Sequence, residues 1–125
     1  MTMALNAFEG LELWRRAMAE IVRKNDSASD LSARQTAVLL HVYLTPPPHT
    51  IRALATGLNI SKPAVSRAVD RLSILGFLKR QTDEVDRRSV NLSRTIEGAM
   101  YVSGLGDIIA RESRAIRNPL EENDA

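Results

Sequence analysis

The 125-residue sequence contains no cysteine. Disulfides, thiolate metal sites and cysteine redox sensing are excluded, and the composition suits a reducing cytoplasm. Histidine is sparse as well. His41 lies inside an apolar segment and His49 in a proline-rich turn. They are not at i, i+4 spacing and have no close acidic cluster, so no metal site is expected. There is no G-x-S-x-G, no phosphate-cradling glycine loop and no catalytic pair, so neither enzymatic chemistry nor a cofactor is expected. The start of the chain lacks a charged region followed by an apolar run and a small-residue cleavage site, which argues against a signal peptide. The longest strongly apolar stretch, Ala37 to Leu44, is interrupted by His41. It is far too short to span a bilayer, so the expectation is a cytoplasmic protein with no membrane partner.

What is present describes an ordinary globular chain, 44% hydrophobic and 26% charged. Its length fits one domain, placed at 1–117, with a modest core that dimerisation would support. Net charge is only +2, but it is unevenly spread. Thr50 to Arg94 holds nine basic residues against four acidic ones. The first 49 residues balance, and Thr95 onward is acidic. Such a concentration suits a surface that meets phosphates, although a solvated face accounts for charge alone equally well.

Apolar spacing predicts a first helix over 5–23, with Phe8, Leu11, Trp14 and Met18 on one face. Ser32 and Gln35 form a capping box for a second helix, whose dense set from Ala37 to Leu44 suits a central, buried position. Pro46, Pro47 and Pro48 end it. Thr50 caps a short third helix, which Gly57 is expected to end in the left-handed conformation. Ser61 caps a fourth, with Pro63 tolerated in its first turn, a stripe of Val65, Val69, Leu72 and Leu75, and Gly76 as its stop. Two short strands follow, at 77–82 and 89–93, around the charged loop from Asp83 to Arg88. Thr95 caps a last helix to about residue 116, and 118–125 is read as a frayed tail. The fold class is therefore mainly α with a small β-hairpin wing, a winged helix-turn-helix. Its helix-turn-helix lies at 50–76, its wing at 77–94, and the terminal helices at 5–23 and 95–116 serve dimerisation.

In such a motif the second helix enters the major groove with its N-terminal residues on base edges. With Val65, Val69 and Leu72 turned inward, Lys62, Pro63, Ser66, Arg67 and Asp70 or Ser73 fall outward. Lys62 and Arg67 can donate to guanine or to phosphates, and Ser66 can serve several bases. Arg71 is better placed for backbone, and the amides near Ser61 could hold a phosphate. Unpaired, Asp70 would repel DNA. It either pairs with Arg67, Arg71 or a wing arginine, or sits outside the contact zone. Arg87 and Arg88 of the wing suit a narrow minor groove, with Asp86 orienting an arginine.

The run from Leu58 to Gly98 resembles the MarR family of winged helix-turn-helix regulators. The shared pattern is Asp70-Arg71-Leu72, Gly76, the basic Lys79-Arg80, Asp86-Arg87-Arg88, and Thr95 with Gly98 three residues later. The resemblance implies a recognition helix from Ser61, Arg88 as the minor-groove arginine, and a homodimer on pseudo-palindromic double-stranded DNA. It also allows a small-molecule effector. The C-terminal region is shorter than the family's usual one and carries Gly98, Gly104 and Gly106. Each interior glycine costs about 1 kcal/mol against alanine, so a smaller or differently built dimer interface is expected. Fold alone does not determine function, and a winged helix used as a protein-interaction module is the competing reading. The basic outer face of the fourth helix and the wing favour a sequence-specific regulator, in the usual case a repressor.

Overall fold

A computed structural model describes residues 4–24, 26, 30–82, 84–86 and 88–117. The elements in order are α1 (Ala7–Lys24), α2 (Ala33–Leu44), α3 (Ile51–Leu58), α4 (Lys62–Ile74), β1 (Leu78–Thr82), β2 (Val90–Arg94) and α5 (Ile96–Arg117). Where the sequence reading treats 1–117 as one domain, the chain falls into two compact units, 30–102 and the terminal segments 1–29 with 103–125. The division lies within α5. None of the described helices is long and apolar enough to cross a membrane.

The 30–102 unit is the winged helix-turn-helix. Its helices begin where local chemistry satisfies their first amides. Ser32 Oγ accepts the Gln35 N–H at 3.1 Å while Gln35 Oε1 accepts the Ser32 N–H at 2.9 Å. Thr50 and Ser61 cap α3 and α4 by accepting the Ala53 and Ala64 N–H groups. The inner stripe of α4, Val65, Ala68, Val69 and Leu72, is buried against Val38, Leu39 and Val42 of α2 and Leu54 of α3. β1 and β2 form an antiparallel hairpin in which Arg80 faces Leu92 and Thr82 faces Val90. Leu78 and Leu92 root that hairpin in the core. The chain just before α3 joins it, since the Leu92 N–H donates to the His49 carbonyl at 2.8 Å.

Two local expectations are corrected. α3 does not end at Gly57; it runs on to Leu58, which packs on the core, and Asn59 takes the left-handed conformation at φ 54°. A short polar asparagine side chain tolerates that region, so glycine is not required. Leu44, expected among the buried residues of α2, is 71% exposed, because it follows Tyr43 past the end of the packed face. Gly76 does stop α4, with φ 82°.

Tyr43 is the hub where α2, the end of α4 and the start of α5 meet. Its hydroxyl donates to the Phe77 carbonyl at 2.8 Å and accepts the Thr95 N–H at 2.9 Å. Thr95 caps α5 by accepting the Gly98 N–H at 2.9 Å, and its own hydroxyl donates to the Gly76 carbonyl at 2.6 Å. Arg94 donates to the Val42 carbonyl at 2.9 Å and the Thr45 carbonyl at 3.0 Å, meeting acceptors that the end of α2 leaves open. A Cβ on Gly98 would run into the Tyr43 hydroxyl and the Phe77 carbonyl. The threonine–glycine spacing thus has a steric cause.

In the terminal unit, Ala17 and Ile108 are buried. Arg16 Nε donates to Glu112 Oε1 at 2.8 Å, and Arg111 Nε donates to Glu112 Oε2 at 3.2 Å. Burial opposes ionisation of Glu112, but the two arginines outweigh it and hold its carboxyl below its ordinary value.

Two glycines should respond oppositely to alanine. Gly98→Ala overpacks the Tyr43 junction and should cost about 1–3 kcal/mol, read as a lower thermal midpoint. Gly57→Ala lies in open space inside α3 and should gain up to about 1 kcal/mol. A loss at Gly57 would mean that the helix does end there.

Glu112 sets a pH dependence. A carboxylate held below its unfolded value contributes stability that is complete above that value, about 4.3, and is lost as pH falls through the lower folded one. The thermal midpoint of Glu112→Gln should therefore fall below the parent's at pH 7, and the gap should close in acid. An equal gap at both pH values would remove the carboxylate from the account.

Candidate nucleic-acid interface

Burial of one side of α4 determines what the other side offers. Lys62, Pro63, Arg67 and Asp70 are exposed, while Ala64, Val65, Ala68, Val69 and Leu72 are buried. Lys62 and Arg67 make no hydrogen bond or ion pair with another described residue, which leaves their donors for a partner. Ser61 is exposed, but its hydroxyl is committed to the cap. Pro63 has no N–H and the Ala64 N–H is taken. The amide cluster expected to receive a phosphate at this end is thereby reduced.

Two positions expected to face outward, Ser66 and Ser73, differ from expectation. Ser66 is half-buried and engaged: Arg80 Nη2 donates to its carbonyl at 3.1 Å and to its hydroxyl oxygen at 3.0 Å. Ser73 does not face out; its hydroxyl oxygen is buried. At about 100° per residue, position 73 lies roughly 40° round the helix from the buried Val69 and so beside the inner stripe. Arg71 is half-buried in the last turn of α4. Asp70 pairs with Arg80 at 2.9 Å, so among the alternatives its partner comes from the wing, on strand β1. That pair neutralises the one acid on the outer face of α4.

In the wing, Asp86 Oδ1 accepts the Arg88 backbone N–H at 3.1 Å and Oδ2 accepts the Ser89 hydroxyl at 3.3 Å. Asp86 therefore shapes the loop that carries Arg88, whose side chain is exposed. Arg87 lies outside the described residues. Between the wing and the helix-turn-helix runs a groove of about 510 Å³, lined by Thr50, Ile51 and Arg52, by Lys62, and by Asp86 and 88–90 of the wing.

Arg80 and Arg52 were not among the sequence-predicted contacts. Both lie in the positive segment. The signals were the need of Asp70 for a partner, and the position of Arg52 just after the Thr50 cap. The arrangement supplies hydrogen-bond donors and positive charge on a rigid base. Among the described residues no group of three or more His, Asp or Glu side chains could hold a metal. His49 is buried with its Nε2 on the Thr45 carbonyl at 3.1 Å.

A family profile described as the MarR family matches residues 29–89. Among known proteins the chain is similar to the HTH-type transcriptional regulator PecS of Dickeya dadantii, 30% identical over 96 residues. That alignment covers 75% of this chain, which spans 58% of the length of PecS. A MarR transcriptional regulator from Methanosarcina mazei Go1 is 26% identical with a TM-score of 0.62, covering 87% of this chain and 86% of its own. A MepR mutant from S. aureus, solved bound to an oligodeoxyribonucleotide, shares the fold. It is 22% identical with a TM-score of 0.75, over 92% of this chain and 82% of its own. The profile covers α2, α3, α4, β1 and the wing loop as far as Ser89, and over that stretch, which carries the basic face, the chain is similar to the MarR family.

Proposed function

We propose that this protein is a transcriptional regulator that binds duplex DNA as a homodimer, with α4 in the major groove and Arg88 of the wing in the adjacent minor groove. The observation that carries this reading is the outer face of α4: Lys62 and Arg67 stand exposed and uncommitted on a helix whose inner stripe is locked in the core. A rigid helix with free donors can read base edges, because little freedom is lost on binding. The MepR mutant with this fold was solved on an oligodeoxyribonucleotide, which supports DNA binding here. The protein acts by binding rather than by catalysis, in the cytoplasm. Its simplest action is repression, through occupation of the duplex.

Dimerisation is supported by the apolar surface of the terminal unit. Phe8 is 83% and Trp14 58% exposed, with Leu11, Val22 and Ile109 also exposed. Large apolar side chains gathered in this way mark an interaction surface. Met18 and Leu105 are half-buried. Val102, expected on the dimer face, packs against the core of the 30–102 unit instead. In this reading the dimer is held by α1 and the C-terminal part of α5.

Fragments of the source genome selected by binding would supply the operator. On it, Arg67→Ala should lower affinity by about 1–3 kcal/mol and relax sequence preference, since a lost base contact acts only on the right sequence. Arg71→Ala should weaken selected and scrambled duplexes about equally, and Arg88→Ala should hurt most where the flanks are A·T-rich. If all three variants bind both duplexes as the parent does, the basic face does not read DNA and the protein-interaction reading replaces it. Light scattering provides an independent check, with a dimer expected. A monomer at concentrations well above those used for DNA binding would remove the proposed interface.

A further inference from the structure

Ser66 stands on the wing side of α4 with its hydrogen bonding half decided. Arg80 Nη2 donates to its hydroxyl oxygen at 3.0 Å and to its carbonyl at 3.1 Å, and the same nitrogen pairs with Asp70 at 2.9 Å. The root of the wing aims Arg80 at this target. It lies two residues beyond the buried Leu78 and opposite the buried Leu92, so its side chain leaves β1 on the face turned to the core and α4. The Ser66 hydroxyl hydrogen is donated to no described residue. A hydroxyl carries one donor hydrogen and accepts through its oxygen. With a cation bonded to that oxygen, a second donor is unwelcome there. The hydrogen in turn becomes a stronger donor, because bonds in a chain polarise one another.

What such a donor meets follows from its place. Ser66 lies one turn from Lys62 and one from Asp70, on the flank of the outer face nearest β1 rather than at its centre. Its side chain is short and reaches only the near edge of a base. In the major groove the acceptor nearest the backbone is N7, which guanine and adenine share, whereas a pyrimidine presents its C5 hydrogen or methyl group there. We infer that Arg80 fixes Ser66 as a donor, and that Ser66 uses its hydrogen to read a purine N7, selecting purine over pyrimidine at one operator position. Ser66 is then a specificity-determining contact, and Arg80 a positioning residue that acts through it. The inference rests on the proposed DNA-binding reading and deepens it from a face that meets the duplex to a residue pair that reads one base.

The test places 7-deazapurines, which replace N7 with C–H and keep the base pairing, one at a time along the selected duplex. At one position per half-site the parent should lose about fivefold in affinity, the worth of one hydrogen bond, and about as much when a pyrimidine stands there. Ser66→Ala should be indifferent at that position while keeping the parent's losses elsewhere, and a thermal midpoint near the parent's separates this from unfolding. Asp70→Asn removes a carboxylate that repels phosphates and leaves both Arg80–Ser66 bonds, so the purine preference should persist in it. Adding Arg80→Met to that background removes the donors at similar length and should abolish most of the preference. An arginine that only braced the wing would instead weaken every duplex alike, and a preference that survives Arg80→Met overturns the role given to Arg80. A Ser66→Ala profile that follows the parent's at every 7-deazapurine overturns the inference while leaving DNA binding intact. A parent that binds no duplex overturns both.

Discussion

Burial of the inner stripe of α4 between α2 and α3 is the constraint on which the 30–102 unit depends. Val65, Val69 and Leu72 are fully buried against Val38, Leu39, Val42 and Leu54. Each such side chain contributes about 1.5–3 kcal/mol relative to exposure, so rotating α4 about its axis would forfeit several of these terms together. Its outward residues therefore have their direction set by packing. Lys62 and Arg67 face away from the core because three apolar neighbours cannot.

The wing depends on the same core and on one polar junction. Leu78 and Leu92 anchor its two strands, and Tyr43, Arg94 and Thr95 occupy backbone groups that would otherwise be left open where α2 and α4 end and α5 begins. Phe77 and Tyr101 stack beside this junction at 4.6 Å between ring centroids. A buried polar junction of this kind is costly to leave half-satisfied. Gly98 keeps the space that lets it close.

Charge on the basic face is sorted by pairing rather than by composition. Asp70 is taken up by Arg80, and Asp86 by the wing loop. An exposed pair such as Asp70–Arg80 contributes little to stability. Its consequence is electrostatic: an acid that would repel phosphates is compensated, while Arg52, Lys62, Arg67 and Arg88 keep their charge available. A modest net charge of +2 is thereby compatible with a strongly positive patch.

The caps at Ser32, Thr50, Ser61 and Thr95, the Val65, Val69 and Leu72 stripe of α4 and the hairpin after Gly76 were legible in the sequence, whereas Leu75, expected on that stripe, is the C-cap of α4 and lies outside the core cluster. Each depends on residues within one turn or one pleat of each other, and such short-range rules operate before any tertiary contact exists. The exposed cations Lys62 and Arg67 followed from that stripe by helical periodicity alone. Other features waited for the tertiary structure. Asn59 rather than Gly57 ends α3, because Leu58 is drawn into the core. Leu44 is exposed, and Val102 faces the core instead of the surface proposed for the dimer. Asp70 could have paired with Arg67, Arg71 or an arginine of the wing, and only the docking of β1 beside α4 selected Arg80. Arg52 and Arg88 are 36 residues apart in the chain. They line one groove because the His49–Leu92 hydrogen bond and the β1–β2 pairing bring the start of α3 beside the wing, a proximity that no local periodicity encodes.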